Sequence, residues 1–223
     1  MHIGLIGGIG PAATDFYYRG LIDRHNRDGR TLDLTMAHAD VKEMGRNLAS
    51  RDARRQAEIF AGLVKRLKAA GAECAAVTSM GGQFCVNELI AISPLPIVNG
   101  IPAVGAAIKQ RGLRKVGIIG TRLVMETGLY GAITAATVLA PEGDALDTVH
   151  QNYIAMAGEG RVNDAQRRVF FEAGRALVAR GAEAVLLGGT DLFLAFQGRD
   201  YGFPVIDCAD IHVEAIYRYA AVQ

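Results

Sequence analysis

Residues 2–17 read His-Ile-Gly-Leu-Ile-Gly-Gly-Ile-Gly-Pro-Ala-Ala-Thr-Asp-Phe-Tyr, and residues 115–130 read Lys-Val-Gly-Ile-Ile-Gly-Thr-Arg-Leu-Val-Met-Glu-Thr-Gly-Leu-Tyr. The two stretches match without a gap: Gly4 with Gly117, Gly7 with Gly120, Thr14 with Thr127 and Tyr17 with Tyr130. Each begins as a short apolar strand, passes through a Gly turn and continues as a helix. This pattern marks a duplicated α/β unit, each copy about half of the chain.

The repeat continues outward. Gly71-Ala72-Glu73 leads into Cys74-Ala75-Ala76-Val77 and then Thr78-Ser79-Met80-Gly81. Its counterpart is Gly181-Ala182-Glu183, then Ala184-Val185-Leu186-Leu187, then Gly188-Gly189-Thr190-Asp191. Pro96-Ile97-Val98-Asn99 matches Pro204-Val205-Ile206-Asp207. In this register Ser79 is the twin of Gly189.

Hydrophobic spacing predicts strands at 3–6, 32–38, 74–78 and 96–98 in the first half. Helices are predicted at 11–24, 54–70, 84–91 and 103–111. The helix at 54–70 carries Ile59, Leu63, Leu67 and Ala70 on one face, and Gly71 caps its end. The second half predicts strands at 115–119, near 145–149, at 184–188 and at 204–207, with helices at 126–137, 163–180 and 209–221. Alternating strands and helices imply an α/β fold of two pseudo-symmetric domains with parallel sheets. The expected domains are 1–100 plus 209–223, and 101–208. Such folds hold ligands at the carboxyl ends of the strands, so a cleft between the domains is the expected site.

Bulk properties narrow the classes. The 223 residues are half hydrophobic, with a formal net charge of +1. Apolar runs are of strand length and broken by Gly or charge, so no membrane span is expected. The start of the chain shows no basic leader or apolar signal core. Three cysteines without paired spacing suggest no disulfide framework and point to a reducing cytoplasm. The basic residues within 46–55 are interleaved with Asp52 and lie near Glu58, the mark of a solvated helix face rather than a nucleic-acid surface. No His or Cys cluster has metal-ligand spacing.

Two constellations can carry chemistry. The first is Gly7-Gly8-Ile9-Gly10-Pro11-Ala12-Ala13-Thr14, a Gly turn at a helix start. Its readings are a small-anion site, a bare turn, or a nucleotide site through Gly8-x-Gly10-x-x-Ala13. Pro11 counts against the last, because it removes a backbone donor. The second comprises the twin loops after the strands, Thr78-Ser79-Met80-Gly81 and Gly188-Gly189-Thr190-Asp191. Hydroxyls and Gly N–H groups there suit a carboxylate, while the plainer reading is a pair of capped turns. Ser79 is outside any Gly-x-Ser-x-Gly elbow, which argues against a hydrolase.

Over almost its whole length the chain resembles the aspartate/glutamate racemases, which use no pyridoxal phosphate. Gly7-Gly8-Ile9-Gly10-Pro11-x-x-Thr14 is similar to their amino-terminal signature, and Gly120-Thr121-Arg122 with Met125-Glu126 to their second-half opening. Residues 181–191 resemble their Gly-Cys-Thr-Glu segment, and Val205-Ile206-Asp207-Cys208 with Ile211-His212 and Glu214 their carboxy-terminal one. The resemblance implies a cofactor-independent isomerase, a homodimer, and a small amino acid or carboxylate as ligand. Contacts would come from Gly8, Gly10, Met80, Gly81, Thr121, Gly189, Thr190 and Asp191.

The resemblance also implies two acid/base residues, one per half, usually cysteines, and these map onto Ser79 and Gly189. Neither is suited to proton transfer, because a Ser hydroxyl is a weak acid and Gly has no side chain. The Asn-Thr that usually follows the first position is Met80-Gly81 here, the His soon after it is Gln83, and a family Lys falls near Val149. Ordinary two-base racemisation is therefore expected to be weak or absent. Cys208 follows a strand near helix N–H groups and is either a thiol of lowered pKa or a small core residue. Cys74 and Cys85 read as core, His38 and Asp40 as loop polar residues within reach of the cleft, and His212 as capping or packing the last helix. The functional readings are an isomerase with a rearranged acid/base set using Ser79 and Cys208, a decarboxylase or lyase relative using Cys208, and a non-catalytic carboxylate binder.

Overall fold

The computed structural model describes residues 1–221. The chain forms two compact units, Met1–Gly100 with His212 onward, and Ile101–Ile211. In the first unit the order is β1 (Ile3–Gly7), α1 (Pro11–Arg27), β2 (Leu34–His38), α2 (Val41–Ala49), α3 (Ala53–Ala69), β3 (Cys74–Val77), a 3-10 turn (Gly81–Cys85) and α4 (Val86–Ile92). Helix α5 (Gly100–Gln110) leads into the second unit. There follow β4 (Lys115–Ile119), α6 (Arg122–Glu126), β5 (Thr137–Leu139), α7 (Gly143–Glu159), α8 (Asp164–Ala179), β6 (Ala184–Leu187), a 3-10 turn (Thr190–Leu192), α9 (Phe193–Phe196) and β7 (Val205–Asp207). The last helix, α10 (Cys208–Ala221), begins in the second unit and continues in the first.

Each unit is built on a parallel sheet, β2-β1-β3 in the first and β5-β4-β6-β7 in the second. Strands β1 and β3 are buried along their whole length, as parallel strands covered on both faces must be. Ile3 registers with Leu34 on one side and Cys74 on the other, and Val116 with Val138 and Ala184. Helix α3 packs on β1 and β2, and α8 on β4 and β6, each closing its own apolar core around residues such as Phe60 and Phe170.

The sequence repeat is a repeat of physical roles. A Cβ at Gly4 would lie 3.1 Å from Leu67 of α3, and one at Gly117 3.0 Å from Leu177 of α8, so small residues set both helix-to-sheet distances. Gly71 and Gly181 end α3 and α8 with φ of 97° and 94°, a conformation that favours glycine. Glu73 then accepts the His2 N–H at 2.6 Å, and Glu183 accepts the Lys115 N–H at 2.9 Å. At the far ends, Thr78 N–H donates to Ile6 and Gly188 N–H to Ile119.

The structure departs from the sequence expectations at three places. The stretch 96–98 forms a single bridge between Ile97 and Ala75 rather than a strand, whereas its twin at β7 pairs over three residues. The helix expected at 126–137 stops as α6 at Glu126, because Gly128, Leu129, Tyr130 and Gly131 all adopt positive φ. The strand expected near 145–149 lies inside α7; the edge strand is β5, and Leu146, Val149, Tyr153 and Met156 form one buried helical stripe. A five-residue apolar window fits either period, and about eleven or more residues are needed to separate them. A capping box between Asn163 and Gln166 starts α8, a device that stabilises a helix by about 1 kcal/mol. Among the described residues no helix is long and apolar enough to cross a membrane.

Candidate functional site

In the first unit the carboxyl ends of the strands carry the Gly turn and the Ser79 loop. Gly8 and Gly10 sit at φ of 88° and 95°. A side chain at Gly8 would meet the His38 imidazole at 2.4 Å, so the end of β2 lies directly over this turn. Thr14 holds the turn from inside: its hydroxyl accepts the Gly8 N–H at 2.9 Å and donates to Gly10 O at 3.1 Å. The Gly8 N–H, a candidate anion donor in the sequence, is thus already engaged. Thr78 donates to Ile6 O and stands 3.4 Å from Thr14, which ties the turn to the neighbouring loop. Gly82 brings the same loops together, since a Cβ there would touch both Ser79 and Ile9. Ser79 is 4% exposed; its oxygen accepts the Gly82 N–H at 3.0 Å, leaving the hydroxyl proton to donate. Asp40 has a capping role, accepting the Lys42 and Glu43 N–H groups at the start of α2, and those bonds lower its pKa.

Behind Ser79 lies a buried polar hub centred on His212. Its Nε2 faces Val98 O at 2.9 Å, and a carbonyl can only accept, so the proton is on Nε2. Nδ1 is then an acceptor, for the Tyr17 hydroxyl at 2.9 Å and the Gln83 amide at 3.3 Å. Gln83 in turn accepts the Gly100 N–H at 3.1 Å and donates to the Met80 sulfur. Burial lowers the His212 pKa to about 4 and keeps the ring neutral. Met80 is fully buried on this hub. His212 therefore does more than pack α10: it anchors the turn that follows Ser79.

In the second unit Thr121 caps α6, accepting the Val124 N–H at 3.4 Å with its own proton left to donate. A Cβ at Gly120 would lie 3.0 Å from Gly188 C and Gly189 N, so this opening abuts the Gly188-Gly189 loop. Thr190 and Asp191 are buried; the Thr190 hydroxyl and the Tyr153 hydroxyl each approach Asp191 Oδ2 at 3.4 Å. Tyr153 comes from α7 and lies against Gly189: a Cβ there would sit 2.2 Å from its Cε2, 2.5 Å from its Cζ and 2.9 Å from its oxygen. Burial, then the charge of Asp191, raises the Tyr153 phenol well above its ordinary pKa.

Asp207 ends β7 in register with Leu187, the residue before the Gly188-Gly189 loop. One carboxylate oxygen accepts the Ala209 and Asp210 N–H groups at 2.8 and 3.4 Å, yet burial outweighs these bonds and lifts the pKa to about 7. The adjacent Cys208 is fully buried, and burial pushes its thiol up, so of the two sequence readings it behaves as the small core residue and not as a thiol of lowered pKa. Cys74 and Cys85 are core residues as expected, raised to about 11 and about 12 by burial.

A sequence model of the Asp/Glu/hydantoin racemase family matches residues 6–216. The chain belongs to this family. Among solved structures it is similar to a putative Asp/Glu racemase from Yersinia pestis, at 28% identity and a TM-score of 0.83, with 100% of each chain covered. An aspartate racemase homologue from Pyrococcus horikoshii OT3 matches at 25% identity and a TM-score of 0.78, covering 99% of each chain. A glutamate racemase from Francisella tularensis subsp. tularensis SCHU S4, solved with D-glutamate, shares the fold at 16% identity and a TM-score of 0.73, with 99% of this chain and 81% of that one covered.

Against this racemase fold, the structure brings Gly8, Gly10, Ser79, Met80 and Gly81 to the strand ends of one unit. It brings Thr121, Gly189, Thr190, Asp191 and Cys208 to those of the other. Sequence reasoning passes over two residues here. Asp207 is visible as a carboxylate at the end of a strand. Tyr153 lies 36 positions before Gly189 in a segment that reads as strand and loop, and nothing in the spacing ties the two together.

Proposed function

We infer that this racemase-family protein acts on a small amino acid or carboxylate without pyridoxal phosphate, and that its proton chemistry does not use a cysteine pair. The observation that carries this reading is the state of the thiols: all three are buried, with raised pKa values, while hydroxyl and carboxyl groups occupy the strand ends. Ser79 in the first unit, and Thr121 and Thr190 in the second, are hydroxyl groups of the kind that hydrogen-bond a carboxylate. Asp207 is the group best matched to proton exchange, because a carboxyl titrating at about 7 holds both of its forms near neutral pH. The buried thiol of Cys208 speaks against a lyase mechanism through that residue. A homodimer in the cytoplasm is the expected working form.

A second reading, a carboxylate-binding protein without turnover, is favoured by the filling of the side-chain space at Gly189 by Tyr153. The two readings separate in one experiment. The protein is held in D₂O with aspartate, glutamate, alanine, malonate and succinate, and Cα exchange is followed by mass spectrometry alongside thermal stabilisation. Exchange in one compound that is lost in Asp207→Asn, with stabilisation by that compound kept, supports the enzyme. Stabilisation without exchange supports the binder.

A further inference from the structure

Ser79 and Gly189 hold twin places at the ends of β3 and β6, yet only Ser79 brings a polar group of its own. The second unit supplies one from elsewhere. Tyr153, in the buried α7 stripe of Leu146, Val149, Tyr153 and Met156, lays its ring on Gly189. The ring occupies the volume of any side chain at 189, and the phenol oxygen lies 2.9 Å from where its Cβ would be. The hydroxyls of Ser79 and Tyr153 thus stand at corresponding strand ends, and both residues are 4% exposed. Asp191 and Thr190 flank the phenol, and its bond to Asp191 Oδ2 is long at 3.4 Å, a contact that gives way readily to a better acceptor.

We propose that Tyr153 is a ligand-binding residue of the second half, its hydroxyl standing in for the side chain that Gly189 lacks and donating a hydrogen bond to an anionic oxygen of the ligand. The proposal rests on the carboxylate-ligand reading above and deepens it. A phenol in this surrounding stays protonated, so it contributes a donor and not a base. The same ring keeps position 189 restricted to glycine: α7 and the Gly188-Gly189 loop are fitted to each other, and neither can change alone.

The test is Tyr153→Phe, which keeps the ring and removes only the oxygen. Thermal-shift and calorimetric titrations use aspartate, glutamate, alanine, malonate and succinate as probes. For the probe that binds the wild type, Kd is expected to rise roughly ten- to hundred-fold, the effect of losing one hydrogen bond to a charged group, while the unliganded melting point stays close to that of the wild type. Unchanged affinity in a folded Tyr153→Phe protein overturns the proposal and leaves the broader reading standing. A wild type that binds none of the five probes overturns the broader reading, and this proposal with it. A second arm needs no ligand. Gly189→Ala is expected to lower the urea midpoint when Tyr153 is present and to be tolerated in a Tyr153→Ala background. A Gly189→Ala protein as stable as the wild type shows that the ring does not fill the space and overturns the proposal.

Discussion

Replacing Asp207 by Asn should change how the stability of this protein depends on pH. The carboxyl rises from an ordinary 3.8 to about 7 in the folded protein. Between those values the folded state holds a proton that the unfolded state has released. The contribution is therefore fully present below 3.8 and is lost as pH rises through about 7. Raising this carboxyl from 3.8 to about 7 corresponds to a ceiling of about 4 kcal/mol, and the partial exposure of the residue brings this to about 2–4 kcal/mol. Asn keeps the oxygen that accepts the Ala209 and Asp210 N–H groups, so the start of α10 stays capped. His212 acts in the opposite sense, since its folded pKa of about 4 makes stability fall as pH drops below 6.5. That slope is common to both proteins and cancels in their difference. Urea unfolding of wild type and Asp207→Asn, from about pH 4 to about pH 8, measures it. The mutant should gain on the wild type steadily with rising pH and level off above about pH 7, by about 2–4 kcal/mol. A difference that stays flat across this range would show that Asp207 titrates as an ordinary carboxyl, and its assignment as the proton-exchanging group would fall.

Other outcomes follow from the same geometry. Ser79→Cys with Gly189→Cys should lose about 1–3 kcal/mol of stability through overpacking against Tyr153, with no racemisation by chiral chromatography. Adding Tyr153→Ala opens room for the second thiol, and D-aspartate formed from L-aspartate by this triple variant would confirm the register of the two halves. Cys208→Ala should leave ligand-induced stabilisation and any exchange rate unchanged within about two-fold, since the thiol is a buried core group; a loss of turnover with binding intact would return Cys208 to the mechanism. His212→Leu removes the hydrogen bonds to Val98 O, the Tyr17 hydroxyl and the Gln83 amide, and chemical denaturation should show a loss of at least about 1–3 kcal/mol, the cost of one buried polar group losing its partner.

The duplicated sheets are readable because their signals are local: apolar runs with Gly at both ends, met twice in the same order. The failures share one cause, which is that tertiary packing decides between local alternatives. The run at 145–149 fits a strand until the buried stripe through Tyr153 and Met156 makes it a helix. The second copy of the amino-terminal motif loses its helix after Glu126 because residues 128–131 turn left-handed, although Tyr130 still aligns with Tyr17. At the site, the strand-end loops are legible as small, hydroxylated and Gly-rich turns. The fit of Tyr153 to Gly189 is not, because it joins residues distant in sequence and depends on where α7 crosses the loop. Nor can spacing reveal that burial outweighs the N–H donors around Asp207 and Cys208.

The most direct test of Cα chemistry without cysteine is deuterium uptake by the wild-type protein, followed by mass spectrometry over a panel of small amino acids and carboxylic acids in D₂O. The expected result is exchange at Cα of one member, retained in Cys208→Ala and rising with the ionised fraction of a group of pKa about 7. No exchange across the panel, together with stabilisation by one member, would contradict the enzymatic reading and establish a fold retained for binding.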